Sequence, residues 1–162
     1  MSTESVDESI LRACAALDVK EPKNFQRAAL QALLEKRDVF LAYPTGSGKS
    51  IIFQALPKAF ELYNGDTETE CCVLVIQPII ALMTDQIKKL SSKNIRTLRL
   101  MHAEERDYTG KKVKIEEILE ASIIFASPEA LLDTYRKEMK DTKFGSRLVG
   151  VAVDESHMIA KW

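Results

Sequence analysis

The chain has 162 residues, with 23 Lys and Arg against 24 Asp and Glu. That length suits one domain with a sizeable core, and the near balance of charge gives no bulk electrostatic case for nucleic acid, so any basic surface must be local. The apolar stretches fall well short of the roughly 20 residues of a membrane span, and the acidic start (Glu4, Asp7, Glu8) lacks the basic and apolar regions of a signal peptide. Three cysteines, two of them adjacent (Cys71, Cys72), make neither a disulfide framework nor a zinc spacing and read as core fillers. The chain reads as a soluble intracellular protein.

In chain order, Val6, Ile10, Cys14 and Leu17 recur at helical spacing, predicting an amphipathic helix over 5–17 that Asp18 to Pro22 breaks. A second helix is expected over 24–36, with Phe25, Ala29, Ala32 and Leu33 on one face. Asp38 to Ala42 reads as a short apolar strand. It feeds Tyr43-Pro44-Thr45-Gly46-Ser47-Gly48-Lys49-Ser50 and then a helix that Pro57 should kink or end. Asn64-Gly65-Asp66 and Glu68-Thr69-Glu70 form a surface turn.

Cys71 to Ile76 is a continuous apolar run, as in a strand buried on both faces. A helix follows Pro78, with Ile79, Ile80, Met83, Ile87 and Leu90 inward. Then come a weaker strand over 96–101, a polar loop over 102–110 and a helix over 111–120. A strand at Ser122 to Ala126, a helix from Pro128 to about Lys140 and a strand at Leu148 to Val153 complete the series. Strands alternating with helices imply an α/β fold with a mostly parallel sheet, whose ligands bind beyond the carboxyl ends of the strands. The glycine loop, Gln77-Pro78, Ser127-Pro128 and Asp154-Glu155 all fall at such ends.

Between a strand and a helix, the 43–50 segment has the context of a phosphate-binding loop. Gly46 and Gly48 let the backbone curl against an anion, and successive N–H groups, including those of Thr45 and Ser47, can face phosphate. Lys49 supplies a charge for the outer phosphates, and Ser50 a hydroxyl for Mg2+. The general pattern starts with glycine where this chain has Tyr43. The plain alternative is a Gly/Ser turn that carries a lysine. Downstream, the apolar run 149–153 ends in Asp154 and Glu155. Paired with the loop, Asp154 is the expected partner of Mg2+ and Glu155 the expected polariser of an attacking water; standing alone they would be an acidic strand cap.

Asp154-Glu155-Ser156-His157 resembles the DExH box of superfamily 2 helicases, and Pro44 through Ser50 resembles their motif I. The chain is most similar to RecQ-type DNA helicases. Gln77-Pro78-Ile79-Ile80-Ala81-Leu82-Met83-Thr84-Asp85-Gln86 resembles their Ser-Pro-Leu-Ile-Ser-Leu-Met-x-Asp-Gln. Ala126 to Leu131 is similar to their Ala-Pro-Glu-Arg-Leu segment, and Asp154 to Trp162 follows Asp-Glu-Ala-His-Cys-Ile-Ser-Gln-Trp, with Ile159 and Trp162 in register. Phe53-Gln54-x-x-Pro57 matches in part. The resemblance implies a RecA-like P-loop NTPase domain of three layers over 21–162, incomplete at its C-terminus and preceded by an N-terminal helix over 1–20. It also accounts for Tyr43, since RecQ-like loops do not keep glycine there.

The resemblance further implies an adenine-reading glutamine. Gln26, 23 residues before Lys49, has the family's spacing. The family's Phe-Arg-Pro-Gly-Gln is here Pro22-Lys23-Asn24-Phe25-Gln26, which keeps a cation but lacks the aromatic residue. His157 corresponds to the residue linking hydrolysis to nucleic-acid engagement. Contact with single-stranded or partly duplex DNA is expected at Gln77, Pro78 and Ser127, where N–H groups at helix starts can hold backbone phosphates. His102 reads as surface, and Lys88, Lys89 and Lys93 as a solvated face.

Such enzymes place the nucleotide between two RecA-like domains, the second carrying an arginine finger. The chain stops at Trp162, so the expectation is a truncated product or partial gene model. Such a fragment would bind ATP and nucleic acid without unwinding, as part of an ATP-dependent 3'-to-5' DNA helicase, nuclear if eukaryotic. The alternatives are a non-catalytic nucleotide-binding or interaction module and a superfamily 2 RNA helicase fragment.

Overall fold

The computed structural model describes residues 5–65, 70–105 and 111–156. Helix α1 (Val6–Ala15) starts where the Ser5 hydroxyl accepts the Glu8 N–H at 3.2 Å. Helix α2 (Asn24–Leu34) starts where Gln26 Oε1 accepts the Lys23 N–H at 2.8 Å. Helix α3 (Ser50–Asn64) ends at Gly65, whose φ of 65° supplies the left-handed cap. Pro57 neither kinks it into two elements nor ends it, since α3 is assigned without a break. Strand β1 (Cys72–Ile76), helix α4 (Ile80–Ser91) and strand β2 (Thr97–Leu100) come next. They are followed by helix α5 (Ile115–Glu120), strand β3 (Ile123–Ala126), helix α6 (Thr142–Arg147) and strand β4 (Leu148–Val153).

The four strands form one sheet in the order β2-β3-β1-β4, with every pairing parallel. Two apolar layers sandwich it. On the first face, Val73, Val75, Ile123 and Phe125 meet Leu30, Ile52, Phe53 and Leu56 of α2 and α3, together with Met83 and Leu90 of α4. Helix α1 adds Ile10 and Cys14 to the same cluster. On the second face, Leu74, Ile124 and Ala126 pack with Ile118, Tyr135 and Phe144. Burying each of the Val, Leu, Ile, Phe and Met side chains among them contributes roughly 1.5–3 kcal/mol. Cys14, Cys71 and Cys72 are buried, as core fillers should be, and no described helix is long and apolar enough to cross a membrane.

The strand expected over 38–42 is not a strand. Val39 and Leu41 pack against the first core cluster while Phe40 is 86% exposed. This segment faces β4 across a cavity of about 660 Å³. A strand is defined by the ladder a neighbour offers, and that gap denies one. The helix expected over 128–140 is instead a π-helical turn, Ala130–Thr134, and a 3-10 turn, Glu138–Lys140. The buried Tyr135 closes the first through its N–H to Ala130 O (2.9 Å) and accepts the Val113 N–H on its hydroxyl (3.2 Å).

Smaller differences follow the same logic. Helix α5 begins at Ile115 rather than 111, and Ile79, just before α4, and Ile80, its first residue, are exposed while Met83 and Leu90 are buried. Helix α6 is not expected from the apolar pattern, although Asp141 is a capping residue whose Oδ1 accepts the Lys143 and Phe144 N–H groups. His102 lies half-buried, 3.6 Å from Asp133. Lys93 is tied to Leu17 O at 2.9 Å and to the Asp18 carboxylate, not held out on a solvated face. The turn over 64–70 and the loop over 102–110 lie partly outside the described residues.

Candidate nucleotide site

Gly46 and Gly48 adopt φ of 80° and 96°, backbone that L side chains rarely enter. At Gly46 nothing lies within 4 Å of an added Cβ, whereas at Gly48 a Cβ would stand 2.7 Å from Gln26 Nε2. The loop is therefore curled open on one side and close-packed on the other. Its packed side is held by two side chains from the start of α2. Gln26 Nε2 donates to Gly48 O at 2.8 Å, and Lys23 Nζ donates to Ser47 O at 2.8 Å. Phe25 stacks on Tyr43 with ring centroids 4.1 Å apart. Gln26, the residue expected to read a base, here fastens the loop. Gln26 is 3% exposed, with its amide committed at both ends.

Lys49 Nζ donates to Tyr43 O (2.8 Å) and Pro44 O (2.9 Å), so the ammonium is held over the concave side of its own loop. Ser50 opens α3, whose N-terminal dipole favours an anion at that end. The Ser47 hydroxyl is buried without a partner among the described residues.

The second half of the site comes from the sheet. Register pairs Ile76 with both Ala126 and Val153, so Ser127, Gln77 and Asp154 leave three adjacent parallel strands side by side. Asp154 N–H donates to Ile76 O at 3.0 Å, continuing the ladder one residue. Both carboxylate oxygens of Asp154 are engaged: Oδ2 accepts Gln77 Nε2 at 2.8 Å and Oδ1 accepts the Glu155 N–H at 3.0 Å. Glu155 sits at φ 54°, a left-handed conformation that a non-glycine residue keeps only where its surroundings impose it.

One cavity joins the halves. Thr45 and Lys49 line it from the loop, Asp154, Glu155 and Ser156 from the end of β4, and Val39 to Leu41 from the intervening segment. No cluster of three or more His, Cys, Asp or Glu occurs among the described residues. The donor set is oxygen-poor on the protein side, which suits Mg2+, an ion that keeps several waters and takes the rest of its ligands from phosphate. A curled loop with an ammonium above it, a helix N-terminus and one anchored carboxylate fit a magnesium-bound polyphosphate.

The expected nucleic-acid contacts fare differently. Gln77 is fully buried, its side chain turned to Asp154, and Ser127 is 6% exposed with its Oγ accepting the Ala130 N–H at 3.3 Å. Neither side chain is displayed to a strand; only backbone groups near half-buried Pro78 and Ser127 remain for that role. His157, Ile159 and Trp162 lie outside the described residues. The Gln77–Asp154 bond was not legible in sequence, because the two residues are 77 positions apart and only strand order makes them neighbours.

The family described as DEAD/DEAH box helicase matches residues 23–162. The chain is similar to ATP-dependent helicase SGS1 of Saccharomyces cerevisiae, 31% identical over 85% of this chain and 9% of the relative. ATP-dependent DNA helicase Q1 of Rattus norvegicus is 32% identical over 85% of this chain and 21% of its own length. ATP-dependent DNA helicase RecQ of Synechocystis is 29% identical over 98% of this chain and 30% of its own. The chain therefore spans less than a third of each of these relatives.

Proposed function

The chain belongs to the DEAD/DEAH box helicase family, and on that premise we propose that it is the nucleotide-binding part of an ATP-dependent 3'-to-5' DNA helicase of RecQ type. The observation that carries this reading is the single cavity where Thr45 and Lys49 meet Asp154 and Glu155. Lys49 exchanges its two carbonyl partners for the outer phosphates, which offer a full negative charge in place of two dipoles. Backbone N–H groups of Thr45 through Ser50 surround the phosphates. Ser50 and Asp154 hold Mg2+, and Glu155 orients the attacking water. When bound, the metal neutralises charge on the transferring phosphoryl group.

Gln26 is assigned to the adenine edge, for which its amide exchanges the Lys23 N–H and Gly48 O that hold it, with Lys23 and the Phe25–Tyr43 stack fixing the loop beside it. His157 is assigned to coupling with nucleic acid. DNA engages backbone N–H groups near Pro78 and Ser127, contacts that hold phosphates and carry little sequence information. A second RecA-like domain closes the site in the working enzyme, so the 162-residue polypeptide tested alone binds ATP–Mg2+ and DNA without separating strands. The protein acts inside the cell, in the nucleus if the source is eukaryotic.

Lys49→Ala tests this reading. Loss of the ammonium should weaken labelled-ATP binding by roughly 100-fold, the worth of a charge-assisted contact pair. Unchanged affinity would place the nucleotide elsewhere, and strand separation by the isolated polypeptide would overturn the assignment of its activity to a two-domain enzyme.

A further inference from the structure

Gln77 is the one fully buried polar side chain at the ends of the strands whose hydrogen bonding is half complete among the described residues. Its Nε2 is bonded to Asp154 Oδ2 at 2.8 Å, while its Oε1 is buried with no partner. Native structures rarely leave a buried acceptor so, and each case calls for an unseen donor such as a water or ion-bound ligand. Oε1 shares one planar amide with the Nε2 that holds the carboxylate, so the acceptor lies within an amide's width of that bond. Waters bound to Mg2+ are strong donors, and an ion held by one carboxylate keeps several of them. The RecQ-type pattern has serine at this position, a side chain too short to span the distance an amide covers, so the device belongs to this chain.

We propose that Gln77 is a positioning residue for the metal: its amide N–H fixes the Asp154 carboxylate, and its carbonyl oxygen accepts a hydrogen bond from a water ligand of Mg2+. The assignment rests on the ATP–Mg2+ reading of this cavity. Outer partners of this kind set the orientation of a ligating carboxylate, and their removal typically weakens metal binding about 10–100-fold. Because Gln77 immediately precedes Pro78, the residue also ties the metal carboxylate to the segment assigned to DNA.

The test is a magnesium titration of fluorescent ADP binding to the 162-residue polypeptide, run beside the same measurement in EDTA. Gln77→Met keeps nearly the same volume without either polar atom, and Gln77→Leu repeats the deletion in a branched shape. Both should raise the Mg2+ concentration needed for half-maximal enhancement by about tenfold, with nucleotide affinity in EDTA unchanged. Retained EDTA affinity shows a folded loop, so a merely structural loss would move both readings together and would overturn the assignment. Unchanged magnesium dependence in both variants, with Asp154→Ala losing it, would also overturn the role of Gln77 and leave the metal site standing. If the unsubstituted chain shows no magnesium enhancement, or Asp154→Ala keeps it in full, the ATP–Mg2+ reading itself fails, and the role of Gln77 with it.

Discussion

The two faces of the sheet are covered to different extents. On the first face, α2, α3 and α4 cover β3 and β1, and the cover reaches β4, where Ala152 joins the cluster and Leu56 lies against Gly150. On the second face, the side chains around Tyr135 and Phe144 cover β2, β3 and β1, reach the start of β4 at Leu148 and stop there. Val151 and Val153, in register with Leu74 and Ile76, are left 54% and 43% exposed. Parallel sheets are ordinarily buried on both faces. Beyond Leu148, the strand that delivers Asp154 is thus anchored from one side only. The difference teaches that the site is held in place by the first face and by hydrogen bonds, rather than by a closed core around β4.

The largest effect should come from the doubly covered interior. Phe125 is fully buried and meets Phe53 edge-on with centroids 6.3 Å apart. Phe125→Ala should cost about 3–5 kcal/mol in urea unfolding, enough to consume much of the stability of a domain this size. A cost near 1 kcal/mol would mean that the first face is no better packed than the bare one.

Next comes a pH effect on the second face. Burial, opposed by Arg147, pushes the Cys72 thiol up from 9.0 to about 11. A folded-state value above the unfolded one means the unfolded chain releases its proton first. The contribution is therefore complete below pH 9 and is lost as pH rises toward 11, roughly 2–3 kcal/mol over that window. Unfolding free energies measured across it should fall for the native chain and less steeply for Cys72→Ala. Equal slopes would mean that water reaches β1 from the second face.

Much of this was legible in the amino-acid sequence wherever one physical rule governed a segment. Cys72 to Val75 and Ile123 to Ala126 are unbroken apolar runs, and unbroken runs belong to strands covered on both faces. Gly46 and Gly48 could be read as loop residues because the curl needs positive φ. Residues 38–42 look equally strand-like, but whether they pair depends on the distance to β4, which no local pattern encodes. The same holds at the site. The positions of Lys49 and Asp154 followed from motif spacing, whereas the commitment of Gln77 to Asp154 and of Lys23 to Ser47 depends on tertiary placement. Ile79 and Ile80 were misread as inward because helical spacing gives a face only once the first turn is placed, and α4 starts one residue later than the proline suggests.

Two substitutions in β4 sharpen the contrast within a single strand. Gly150 lies on the covered side, where an added Cβ would stand 2.8 Å from Leu56 Cδ2. Leu56 is itself buried and has little room to give way. Gly150→Ala should therefore cost about 1–2 kcal/mol by overpacking, seen as a lower urea midpoint with an unchanged slope. A neutral result would show that α3 can withdraw from β4.

The smallest effect is expected one residue on, where the side chain turns to the opposite face. Val151→Thr replaces a methyl with a hydroxyl at nearly constant shape and keeps the β-branching that a strand favours. In a covered site that exchange buries an unpaired hydroxyl and costs about 1–3 kcal/mol. At a side chain 54% exposed, water satisfies the hydroxyl, and the change should stay within about 0.5 kcal/mol. The two outcomes differ by more than the error of a urea titration, so the substitution reports directly on whether anything covers β4 in solution. A penalty above about 1 kcal/mol that disappears on dilution would mean that copies of the chain pair through this bare face. If the penalty is independent of concentration, the face is closed within the monomer, and Asp154 is held from both sides after all.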